Sequence, residues 1–400
     1  MKNIIHIVIV STMLYACSNS TRDQFGAIDT NGYTVETIPV NYKETIQLTD
    51  TSEYEIVDCM SLQLPPEIPT LYTTLIMRNK DRIYILDKNI NKTVLVFNDK
   101  GEFLYKLGNI GHAKDEYIRC PTNISINYTN DEVHVYERDS WRVLVFSGDG
   151  KFLRSFMFKD YVPSRVSVTS TGNYLCASAA RHQGSVYKLA LYDNNGEFLK
   201  GYYPLGTEER LGIWNCLYSC NDVICYNPMM TDLAVLFKDD EIMKYIKVDF
   251  GGAFTDTKKI QEAHTAMYAG QRVGSFDPIV ENPKVNYIYY AEQSESLFHV
   301  HYMTEKSKHK VDYFLNKKNG KHINFQEGKI LAGLWPSERM WIYENQIITV
   351  IENDDVEKIR DRMNSDKEKS KALYDRTHPL IQSIIDGRIM APVFVSIRMK

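Results

Sequence analysis

VLVFNDKGEFL, residues 94–104, is followed in the same chain by VLVFSGDGKFL, residues 143–153. Each copy has the same apolar run, a Gly-containing polar turn, and a second apolar start. Asp, Asn and Gly are the residues that tight turns between antiparallel strands require. Each copy also follows a matched partner, DRIYILD from Asp81 and DEVHVYE from Asp131. Apolar and polar residues alternate in both partners, the period of a strand. The unit therefore reads strand, loop, strand, turn, strand.

Weaker copies continue along the chain. NYLCAS (173–178) leads to YKLALYDNNGEFLKGYY (187–203), where Asn-Asn-Gly restates the turn. DVICYN (222–227), VNYIYYAE (285–292) and NQIITVIE (345–352) are the fourth, fifth and sixth. A further candidate strand precedes each unit: TLIMRNKD, NISINYTND, RVSVTSTG, NCLYSCND, FDPIVENPK and ERMWIYEN. Four strands per ~40–50 residues is the period of a propeller blade. One small sheet leaves both faces uncovered, and stacking the sheets around an axis buries them. The expected fold is all-β, a six-bladed β-propeller.

The sixth unit lacks an immediate third strand. NDDVEKIRDRMNSDKEKSKALYDRTHPLIQSIIDG follows it, reading as one or two surface helices interrupted near Pro379. APVFVSIRMK then ends the chain as a strand. TVETIPV and KETIQLTD are surplus strands before the first unit. Closure by an amino-terminal strand in the last blade is the expectation, because a ring without a lock exposes two unpaired edges.

Composition agrees. The chain has 400 residues, 44% hydrophobic and 24% charged, with 27 Tyr, which suits a folded, strand-rich protein. The net charge of −4 offers no general field for nucleic acid, so no nucleic-acid partner is expected.

The amino terminus is a separate element. MKNIIHIVIVSTMLYAC has a basic start at Lys2 and an apolar run from Ile4 to Ala16. That run is short of the ~20 residues a spanning helix needs, and the pattern is that of a signal peptide. Leu14-Tyr15-Ala16-Cys17 resembles a bacterial lipobox, in which the Cys becomes lipidated, and the polar SNSTRDQFG after it suits a tether. The expected plan is a signal peptide over 1–16, a lipidated tether over 17–40, and the propeller over 41–400 with a helical insertion at about 354–387. Membrane attachment then runs through lipidated Cys17. Ser18 after the Cys, by resemblance to Gram-negative lipoproteins, points to the outer membrane and leaves open its periplasmic or surface face.

IYILDKNINKTVLVFNDKGEFLYKLGNIGHAKDEY resembles the first blade of the six-bladed propeller lipoproteins of Gram-negative bacteria, related in form to NHL-repeat and TolB-like propellers. In that group the unit ends in a phrase like GxxGxGPGEY. Here it stands as Gly108, Gly111, Glu116 and Tyr117, with HAKD in place of the Gly-Pro-Gly centre. The terminal PVFVSIRMK also resembles the group's last strand. The resemblance implies architecture and carries almost no biochemistry.

Propellers bind ligands at the mouth of the central channel, on the loops between second and third strands and between blades. The expected mouth residues are Asp87, Lys88 and Asn89; Arg138, Asp139 and Trp141; Arg181 and His182; Met229 and Asp232; and Glu292. His112, Lys114 and Glu116 join them from the first blade-to-blade connection. Trp offers a flat face, while Arg and carboxylates give directional hydrogen bonds. Loops are polar in any case. His299 and His301 share one strand face in FHVHY, but the sequence shows no third ligand, and Cys216, Cys220 and Cys225 lack paired zinc spacing. No metal and no cofactor are expected. Without GxSxG or a phosphate loop, the favoured reading is a non-enzymatic binding or interaction module for a glycan, a peptide or an envelope protein. The alternative is a propeller enzyme, such as a lyase, lactonase or glycan hydrolase, with acid–base groups converging at the channel mouth.

Overall fold

The structure is a computed structural model that describes residues 28–42, 53–159, 161–178, 186–205, 217–228, 231–254, 285–304, 309–326, 340–365, 371, 374–375 and 378–400. The repeated phrase takes its expected place. Thr93–Asn98 and Phe103–Leu107 are the third and fourth strands of the first sheet, joined by the Asp99–Gly101 turn. Arg142–Ser147 and Phe152–Met157 do the same in the second. The described residues form six sheets, each with four antiparallel strands in blade order. The chain is a six-bladed β-propeller.

The middle strands are buried on both faces. Ile83, Tyr84, Ile85 and Leu86 are sealed, as are Val94 to Phe97. Alternate residues serve opposite neighbours. Tyr84, Leu86, Val94 and Val96 pack on Ile124, Val133, Val135 and Leu144 of blade two. Ile83, Ile85, Leu95 and Phe97 pack on Trp341, Ile348, Val350 and Phe394 of blade six. Blade one thus touches both neighbours and the ring is closed. Each such side chain contributes roughly 1.5–3 kcal/mol on burial.

The turn glycine has its own physical cause. Gly101 holds φ +79, and a Cβ there would lie 2.3 Å from the Ser61 carbonyl oxygen. A Cβ on Gly196, the same place in blade three, would lie 2.7 Å from the Met157 carbonyl oxygen. The turn slides under the outer strand of the preceding blade, so the repeat records a blade-to-blade contact as well as a bend.

An amino-terminal strand closes the last blade as expected, but it is neither of the two surplus segments. Tyr54–Ser61 is the outer strand of blade six, pairing antiparallel with Val393–Met399 from Tyr54↔Met399 to Ser61↔Val393. Val35–Pro39, within the TVETIPV segment, instead adds a fifth, parallel strand to the outer edge of blade four. KETIQLTD lies outside the described residues.

Blade five also departs from the expected register. Its first strand is Val285–Gln293, its second Leu297–Thr304, its third His309–Asn316 and its fourth His322–Gln326. VNYIYYAE is therefore the inner strand rather than the second, and FDPIVENPK lies outside the described residues. Two irregularities in the first hairpin, at Val285/Tyr287 and Ile288/Tyr290, break the alternation that would have marked the register.

The insertion in blade six carries two helices, Asn353–Ser365 and Pro379–Ile385. Pro379 opens the second, where a missing N–H costs nothing, and His378 Nδ1 accepts the Leu380 N–H at 3.2 Å. Val356, Ile359, Ile381, Ile384 and Ile385 join the core with Val393 and Val395 of blade six. Among the described residues no helix is long and apolar enough to cross a membrane.

Candidate functional site

The inner strands of all six blades converge on the axis. Met77, Asn123, Ser167, Tyr218, Glu292 and Trp341 face one another across a cavity with about 20 Å³ of water-accessible space, room for about one water. That part of the channel, among the described residues, has room for little more than a water.

At the mouth, most of the expected carboxylates serve the fold. Asp87 ends the second strand of blade one and is fully buried. Its Oδ2 accepts the Tyr72 N–H at 3.0 Å and an Asn91 Nδ2–H at 2.6 Å, while Oδ1 accepts the Ile90 N–H at 2.9 Å. Glu137 does the same for blade two, accepting the Arg119 N–H at 2.6 Å and the Ser140 hydroxyl at 2.6 Å. Glu352 does so for blade six, accepting the Thr73 N–H across the ring junction. These buried carboxylates tie the entry segment of a blade to the exit of a second strand.

The connection after blade one is a clasp. Gly111 N–H donates to Tyr117 O at 2.9 Å and Tyr117 N–H to Asn109 O at 2.7 Å. The sealed Tyr117 ring crosses under Gly108, and its hydroxyl donates to Leu107 O. Glu116 accepts the Ala113 N–H at 2.9 Å, and the Arg142 guanidinium donates to Glu116 O. His112 and Lys114 are exposed on this loop.

Four expected residues gather between blades one and two: Lys88, Arg138, Asp139 and Trp141. Lys88 is half-buried. Burial lowers its pKa, and the nearby Arg165 and Arg138 cations lower it further, partly opposed by Cys120 and Asp139. Arg165 opens the inner strand of blade three and donates to Thr122 O at 3.2 Å and Ser164 O at 3.4 Å. Asp139 meets Arg119 at 3.5 Å. Trp141 closes the same turn, its N–H donating to Arg138 O at 3.2 Å, with φ +58 and a partly exposed indole. Asp232 in the blade-four loop is more than half buried, and burial raises its pKa, opposed by Lys247. Arg181, His182 and Met229 lie outside the described residues.

Glu292 is elsewhere. It sits on the inner strand of blade five, directly opposite His299. Its Oε1 meets His299 Nδ1 at 2.6 Å and accepts the Ile342 N–H of blade six at 3.0 Å. His299 Nε2 meets Asp312 Oδ1 at 2.8 Å, and the same oxygen meets His301 Nδ1 at 2.9 Å. The chain Glu292–His299–Asp312–His301 thus crosses three strands, buried throughout. Phe314 stacks on His299 at 4.0 Å and Tyr290 on His301 at 5.1 Å. Burial raises the Glu292 pKa, only partly offset by His299. Burial opposes the His299 imidazolium, but hydrogen bonds to Asp312 and Glu292 overcome it and the pKa rises. Burial likewise opposes the Asp312 anion, and the two histidines overcome it, so its pKa falls. The His299/His301 pair meets carboxylates here, and among the described residues no three such side chains are arranged so that they could hold a metal ion.

A family model described as a domain of unknown function, DUF4934, matches residues 73–378. The chain belongs to the DUF4934 family. No curated protein matches it. Among solved structures, a Bacteroides fragilis protein described as exported aligns with a TM-score of 0.69 at 16% identity, covering 92% of this chain and 100% of that one. A member of the DUF4221 family from Bacteroides vulgatus aligns with a TM-score of 0.48 at 8% identity, covering 88% and 99%. At such identities the likeness concerns the fold alone.

Within this DUF4934 chain, sequence reasoning missed Asp312 and misplaced Glu292. The signal for Asp312 was present, because HKVDYFL puts it in phase with Phe314 on a strand whose other face carries Val311 and Tyr313. A charged side chain in a strand covered on both sides has to find a partner. Among the described cysteines, Cys59, Cys120, Cys176, Cys220 and Cys225 are free thiols. Burial, followed by the Asp58 charge, pushes Cys59 up to about 11.

Proposed function

We propose that this chain is a lipid-anchored β-propeller of the cell envelope that acts as a non-enzymatic binding module, holding its ligand on the mouth of blades one and two. One observation carries this reading. That mouth gathers Lys88, Arg138 and Trp141, while the carboxylates an acid–base enzyme would use there, Asp87 and Glu137, are buried acceptors of backbone N–H groups. The envelope part rests on the Cys17 lipobox and is supported by the exported description of the Bacteroides fragilis relative.

The enzyme alternative has one foothold, since Glu292 borders the axial cavity and begins the histidine chain. The water-sized space beside it admits no sugar or peptide. The test is capture of envelope components on the immobilised full chain, compared with Trp141→Ala. Loss of a captured component on that substitution is the expected result. Capture that ignores it, or turnover of the component that Glu292→Gln abolishes, would sink the binding-module reading.

A further inference from the structure

Three loops meet at the mouth of blades one and two: residues 87–92, 116–120 and 137–142. The second and third are laced together by Arg119 N–H to Glu137, Arg119 to Asp139, and Arg142 to Glu116 O, and Lys88 of the first lies close enough to feel the charges of Arg138 and Asp139. Their carboxylates are committed. Asp87 and Glu137 cap backbone N–H groups, Glu116 closes its own loop, and Asp139 faces Arg119.

Beside the exposed Asn89 amide, the uncommitted side chains include cationic and apolar groups. Neither the Lys88 ammonium nor the Arg138 guanidinium has an ion-pair or hydrogen-bond partner among the described residues. Ile90, Ile118 and Trp141 stand 47%, 50% and 38% exposed on the same three loops. Trp141 also holds a left-handed backbone, which costs a non-glycine residue about 1–2 kcal/mol. Tyr203 has the same conformation and offsets it by stacking on Tyr226 at 6.1 Å and bonding Tyr245 at 2.7 Å. The Trp141 ring has no aromatic or cationic partner among the described residues, and the residue keeps 38% of its surface exposed.

This pattern separates two ligand chemistries. A saccharide presents many hydroxyls and needs several carboxylate or amide acceptors around them; here the carboxylates are occupied and the exposed amide on these loops is Asn89. A protein segment that carries carboxylates beside apolar side chains needs cations and an apolar platform. We propose that the mouth of blades one and two docks an acidic, apolar-rich segment of a partner protein. Carboxylates pair with Lys88 and, in bidentate fashion, with Arg138, while Trp141, Ile90 and Ile118 cover the apolar side chains between them. The strain among Lys88, Arg138 and Arg165, which holds the Lys88 pKa down once burial has acted, is relieved when an anion arrives.

This rests on the binding-module reading, and the experiment separates the two. The probes are twelve-residue peptides in which Leu, Ile and Phe alternate with Asp and Glu, and counterparts with Asn and Gln at the acidic positions. Titrated against the full chain in detergent, acidic peptides bind at least tenfold tighter than their amide counterparts, and raised salt narrows the gap. Lys88→Gln and Arg138→Gln each weaken the acidic peptides about tenfold and leave the amide peptides unchanged. Trp141→Ala weakens both sets. Equal binding of both sets, no binding of the acidic set, or a preference for tetragalacturonate that depends on Lys88 and Arg138 overturns the proposal. Envelope capture lost in Trp141→Ala but kept in the Lys88 and Arg138 variants leaves the binding module standing and removes the acidic segment. Capture kept in all three removes both.

Discussion

Asp312→Leu is the sharpest probe of the buried chain in blade five. The Asp312 Oδ1 atom holds His299 Nε2 at 2.8 Å and His301 Nδ1 at 2.9 Å. Leucine fills the volume but strands two ring nitrogens, one of them on an imidazole whose other side is fixed by Glu292. Removing one partner of a buried charge network costs roughly 3–5 kcal/mol. At about 2 °C per kcal/mol for a large domain, melting falls by roughly 6–10 °C. The pH dependence is the more specific readout. His299 has a folded-state pKa above 6.5, so its stabilisation is complete below that pH and is lost as pH rises through the folded value. Glu292, also raised, acts in the same sense from lower pH: its contribution is present below 4.5 and lost as pH climbs through its folded value. Asp312, lowered, acts oppositely, contributing above 3.8 and losing that contribution as pH falls through its folded value. Tyr290, Cys220 and Cys225 also face the chain, but burial raises all three, which keeps them neutral across this range. Without Asp312 the desolvation of His299 is less well opposed, and the gap between wild type and variant shrinks from pH 6 to pH 9. The triple variant Glu292→Gln, His299→Leu, Asp312→Leu removes the charges together and keeps an acceptor for the Ile342 N–H, so it melts above Asp312→Leu. Scanning calorimetry across pH measures all of this. A loss below about 1 kcal/mol, or a gap independent of pH, would refute the reasoning.

Three other outcomes follow from the ring. Glu352→Ala leaves the Thr73 N–H without its acceptor at the junction of blades six and one and costs about 1–3 kcal/mol; exchange of the Thr73 amide accelerates, and Glu352→Gln restores most of its protection. Gly101→Ala meets the Ser61 carbonyl at 2.3 Å as well as a left-handed φ, for a loss of roughly 2–5 kcal/mol, whereas Gly172→Ala has open space and loses only about 1–2 kcal/mol; paired melting curves that show equal losses would remove the blade-contact account of the turn glycine. Cys17→Ala releases the protein to the soluble fraction, and continued membrane association on fractionation would exclude the lipid anchor.

The propeller was legible because its signal is redundant. VLVF-turn-FL occurs twice and weaker strand–turn–strand copies follow it, so one damaged unit does not hide the period, and the turn glycine is held in place by a neighbouring blade as well as by its own φ. The site was less legible for a reason internal to the fold. In an open amphipathic strand a polar residue at an alternate position points to water, so Asp87 and Glu292 read as loop or surface groups. In a propeller the middle strands have a blade on each side, and the same residues point into protein. His134 illustrates the difference: it alternates with Val133 and Val135 in DEVHVYE, yet it is buried and its Nδ1 meets the Tyr174 hydroxyl of the next blade at 2.8 Å. Once the fold is known, polarity in second and third strands is evidence of a bonded partner, and a functional group is better sought among polar side chains that the ring leaves unpaired. That criterion removes Asp87, Glu116 and Glu292 from the expected ligand set. It retains Lys88, Arg138 and Trp141, whose chemistry no neighbour within the described residues consumes.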